Sequence, residues 1–301
     1  MEASLLPTRE YREFARRQTI ATAKTDTADA EALRSEFALP NFNAWIVVLD
    51  AKGETLDQFC PDTDSECTEA SKFLFPSKLV GRVERALREP LSVQELERRW
   101  RAKPHDAAAF EVLASRLDQM CQRRRLSTIC TAALKQKELS PAARAMIELQ
   151  AFLAEARDFV YENESGKDAL TRQGEVLLVR HPDHALAPSV QVALSGLLKE
   201  GFDVPARWNA SLARFEQAAK TPAQKSRLAA FKKERDEFLL AISAARSHPE
   251  IAANDQALLW YASLLGDAPT TVRILGKPEF KDNPQYAGIL RQAKAKLALL
   301  K

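Results

Sequence analysis

The stretch Ala44-Trp45-Ile46-Val47-Val48-Leu49-Asp50-Ala51-Lys52-Gly53-Glu54-Thr55-Leu56-Asp57-Gln58-Phe59 constrains the fold more than any other part of the chain. Ala44 to Leu49 is a continuous apolar, β-branched run of strand length, the pattern of a strand covered on both faces. Asp50-Ala51-Lys52-Gly53 supplies a reversal, because Asp hydrogen-bonds within its own turn and Gly takes positive φ at no steric cost. The more polar run to Phe59 then reads as a second strand at a sheet edge. The segment is therefore expected to form a β-hairpin.

Neighbouring segments extend the pattern. Thr27 to Phe37 is read as a helix capped by Thr27. Over roughly residues 1 to 90 the chain resembles a thioredoxin fold: the hairpin is similar to its last two strands, Glu10 to Arg17 to the end of its first helix, Thr19 to Asp26 to its parallel strand ending in Asp, Thr27 to Phe37 to the helix that follows, and Phe75 to Glu89 to its closing helix. The resemblance implies a peptide-facing loop at Pro40-Asn41-Phe42-Asn43, so that Phe42 and Trp45 line a peptide groove, with packing in the core as the alternative. Two departures bear on function. The Cys-x-x-Cys of that family is absent, and Ala44 stands where it carries a cis-proline. The strand that precedes the first helix of such a fold would have to lie before Met1. Two readings follow: the natural reading frame begins upstream, carrying a strand and a redox motif, or the fold is a degenerate remnant.

From Leu91 onward the pattern is helical. Ser92 and Glu95 have capping-box spacing, and Asp106, Ser140-Pro141, Pro188, Pro205, Pro222 and Asn254 mark further helix starts. Asp106 to Arg123 and Ser127 to Leu139 are read as two helices joined by Arg124-Arg125-Leu126. Ser165-Gly166 is read as a break, and Pro222 to Arg246 as one long helix. Paired helices with Pro-marked turns resemble tetratricopeptide-type repeats, although Pro104, Pro141, Pro182, Pro222 and Pro249 are irregularly spaced. A compact helical bundle is the alternative. The fold class expected is α+β: an incomplete thioredoxin-like domain over residues 1–90, then an all-α domain over 91–301.

Composition limits function without assigning it. A net charge of +3 is too small to argue for nucleic acid, and no apolar run reaches the ~20 residues of a membrane span. Cys60 and Cys67 flank a polar loop, while Cys121 and Cys130 sit about equally far from the expected helix turn, so each pair can close locally. Two such disulfides would suit an oxidising compartment such as a bacterial periplasm, and four reduced thiols the cytoplasm. The acidic alternation Asp62, Asp64, Glu66 lacks the glycine and final Glu of a calcium loop. His181 and His184 surround Pro182 in a turn and are read as turn residues. Trp208, Trp260 and Tyr261 are read as core. No catalytic, cofactor or metal motif stands in the chain. The function expected is protein or peptide binding by a non-catalytic module, the alternative being a thiol–disulfide oxidoreductase whose Cys-x-x-Cys lies upstream.

Overall fold

The computed structural model describes residues 46–60, 76–89, 91–136, 139–158, 164–281 and 283–300, together with Ala32 and Glu36. The described chain is mostly helical, with one small antiparallel sheet of two strands, β1 (Ile46–Leu49) and β2 (Thr55–Phe59). The reversal forms as its residues dictate. Asp50 Oδ1 accepts the N–H groups of Lys52 at 2.8 Å and Glu54 at 2.9 Å, and Gly53, at φ +78°, donates its N–H to the Asp50 carbonyl. Ile46 pairs with Phe59, Val47 with Gln58 and Val48 with Asp57; a bulge then brings Leu49 opposite Thr55.

The chain divides into two compact units, Met1–Glu155 and Ala156–Lys301. In the first, α1 (Pro76–Ala86) and α2 (Val93–Ala102) pack on β2, α2 packs on α3 (Ala107–Gln119), and α3 on α4 (Arg123–Leu134). Val48, Leu56 and Phe59 of the hairpin share a core with Leu79, Val83 and Ala86 of α1. Phe110, Leu113, Ala114 and Leu117 are spaced three or four apart on α3 and are all fully buried, each larger one contributing about 1.5–3 kcal/mol of burial. The helix α5 (Pro141–Asp158) follows.

The second unit contains α6 (Glu164–Arg180), α7 (Ala187–Leu198), α8 (Val204–Ala218), α9 (Pro222–Arg246) and the short α10 (Pro249–Ala252). It continues with α11 (Asp255–Leu264), α12 (Ala268–Leu275), α13 (Pro278–Lys281), a 3-10 turn (Pro284–Tyr286) and α14 (Ala287–Leu299). Consecutive helices pack on one another: α6 on α7, α8 on α9, α11 on α12. The α9 bounds are those read from the sequence, because Thr221 and Gln224 form a full capping box with Pro222 in the first turn. Its Phe231 meets Trp208 of α8 at 5.5 Å between ring centroids, and both are fully buried.

Two boundaries differ from the sequence reading. Gly166 lies inside α6, where the ladder absorbs the small entropic cost of one glycine. The turn between α3 and α4 is Met120-Cys121-Gln122, not Arg124-Arg125-Leu126, because the backbone closes there. The N–H of Gln122 donates to the Leu117 carbonyl at 2.8 Å and that of Cys121 to Asp118 at 3.0 Å, the two bonds of a Schellman motif, with Cys121 left-handed at φ +55°.

Candidate functional site

Phe42, Trp45 and Cys67 lie outside the described residues, as do the Glu10–Arg17 and Thr19–Asp26 segments and the acidic loop 62–66. Ala32 and Glu36, both within the Thr27–Phe37 segment, are helical. Cys60 follows β2 and is buried. Cys130 is a free thiol on the inner face of α4, wholly buried, and burial pushes it up to about 12. It is therefore protonated at neutral pH and carries no nucleophilic thiolate. Cys121 is exposed in the turn. His184 Nδ1 accepts the N–H of Leu186 at 3.1 Å, a turn contact of the kind read from the sequence. Among the described residues no group of three or more His, Cys, Asp or Glu is arranged to hold a metal, and no helix is long and apolar enough to cross a membrane.

The most developed polar constellation joins the hairpin to the helices that follow it. The second strand, expected at an exposed edge, is the more buried of the two: Gln58 is 0% exposed, whereas Leu49 of β1 is 38% exposed. Helix side chains saturate its polar groups. Gln94 Oε1 accepts the N–H of Thr55 at 3.0 Å, and Arg116 Nη1 donates to the Leu56 carbonyl at 3.0 Å. Gln58 Nε2 donates to the Met120 carbonyl at 2.9 Å, and Gln122 Nε2 donates to Gln58 Oε1 at 2.8 Å. Arg125 then bridges the Gln122 amide at 3.1 Å and Glu97 of α2 at 2.7 Å. Asp57 faces Arg82 of α1, whose Nε lies 3.3 Å from its carboxylate. Burial raises the Asp57 carboxyl above its ordinary range, and the Arg82 and Arg116 guanidiniums pull back only part of that shift. This network fixes the hairpin against the helices that follow it.

The second unit presents a different feature. Trp208 is in the core as read from the sequence, but Trp260 is 60% exposed. The reason lies in Ala257-Leu258-Leu259-Trp260-Tyr261, five apolar residues in succession, which exceed the one face a helix can bury. Leu259 and Ala262 take the inner face of α11, and Trp260 turns outward. Val192 of α7 and Leu240 of α9 are also exposed, at 66% and 72%.

Comparison of the chain with protein-family models, with curated proteins and with solved structures finds no match.

Proposed function

We propose that the protein acts by binding another protein or peptide, with the helical unit as scaffold and Trp260 as an anchor of the contact surface. The observation that carries this reading is the 60% exposure of Trp260 on a helix whose Leu259 and Ala262 are buried. Trp contributes more to protein interfaces than other residue types, because it offers a large rigid apolar area with a polar edge. The successive packing of helices from α6 to α14 supports a tetratricopeptide-like array. The order of the hairpin and α1 supports a thioredoxin-like module before it, and this module is read as non-catalytic.

The test is selection of displayed peptides against the full chain, followed by calorimetry on the best ligand. Trp260→Ala is expected to weaken binding by about tenfold or more and to leave the thermal midpoint unchanged. A selected ligand whose affinity does not depend on Trp260 overturns the reading.

A further inference from the structure

A cavity of about 170 Å³ opens in the second unit between α12, α13 and the start of α14. Its walls are Leu275, Phe280, Tyr286, Ala287 and Leu290, with Lys281 among the lining residues. Leu275 is 2% exposed, and the rings of Phe280 and Tyr286 meet edge to face at 6.0 Å, so the floor and one wall are fixed. The polar groups around it are not equivalent. Asn283 Oδ1 is occupied in capping, where it accepts the N–H of Gln285 at 3.0 Å. Lys277, one helical turn before Lys281, is committed to Asp255. Lys281 makes no ion pair among the described residues and is an exposed cation on the cavity lining.

We propose that this cavity binds a small monocarboxylate, its apolar body of about six carbons held among Phe280, Tyr286 and Leu290 and its carboxylate at Lys281. The size follows from comparison with an apolar cavity of ~150 Å³ that holds benzene. The sign of the head group follows from Lys281: an anion gains a charge-assisted hydrogen bond, whereas a cation meets like charge. The proposal is independent of the reading given for Trp260.

The test titrates hexanoate into the full chain and follows the leucine methyl signals by NMR. Saturable shifts at Leu275 and Leu290 are expected, and none with hexylammonium, which has the same tail and the opposite charge. Lys281→Gln is expected to weaken hexanoate binding by about fivefold and Ala287→Trp to abolish it by filling the space, with the remaining methyl signals of both variants unchanged. Equal binding of hexylammonium, or unaltered hexanoate affinity in either variant, overturns the proposal.

Discussion

Asp203 and Gly266 face each other so closely that a Cβ placed on Gly266 would lie 2.5 Å from Asp203 Cγ. Both residues are left-handed, at φ +57° and +68°. Asp203 caps α8 through Ala206, donates its own N–H to the Ser263 carbonyl at 3.0 Å, and forms an ion pair with Lys296 of α14. One point thus ties together the start of α8, the α11–α12 turn and α14. Gly266→Ala is expected to destabilise the chain by about 2 kcal/mol or more, from the left-handed backbone and the clash together. Chemical denaturation checks this, and an unchanged midpoint would contradict it.

Cys121 occupies the left-handed position of the Schellman turn, where glycine is the least strained residue. Cys121→Gly is therefore expected to stabilise the protein by about 0.5–1 kcal/mol. The same denaturation experiment, run under reducing conditions, measures it; a loss of stability would show that the side chain contributes more than its backbone costs.

Among the described residues, Asp57 and Asp267 respond to pH in opposite directions. The Asp57 carboxyl is raised, so its ionised form costs stability at neutral pH, and the cost is relieved as pH falls through its folded value towards 3.8. Asp267 is also pushed upward by burial, but hydrogen bonds from Thr270 and the Arg246 charge outweigh this and hold it below 3.8. Its contribution is present above 3.8 and is lost as pH falls through its lower folded value. The wild type is thus expected to gain on Asp57→Asn between pH 7 and about 4, and to lose its advantage over Asp267→Asn only below about pH 4. Denaturation midpoints across this range decide it; parallel profiles for all three proteins would contradict the assignment.

Much of the local structure was legible in the sequence because its causes are local. Asp50 and Gly53 specify the turn, Thr221, Pro222 and Gln224 the start of α9, and Ser92 the start of α2, where its hydroxyl accepts the Glu95 N–H. Even there the expected capping box is half made, since the Glu95 side chain reaches Arg99 instead. The burial of β2 was not legible. Its polar residues read as solvent-facing, and the amide that satisfies Gln58 lies 64 residues away on Gln122. Nor did helical periodicity reveal Trp260, because a run of five apolar residues does not mark which of them faces outward.

The buried Gln58–Gln122 pair locks the hairpin to the helices that follow it. A double-mutant cycle with Gln58→Leu and Gln122→Leu tests this most directly by equilibrium denaturation. Each single change leaves a buried amide or carbonyl unpaired and is expected to cost about 2–3 kcal/mol, and the double variant about 1 kcal/mol or more less than their sum. Strict additivity of the two losses, or a negligible loss from either, would contradict it.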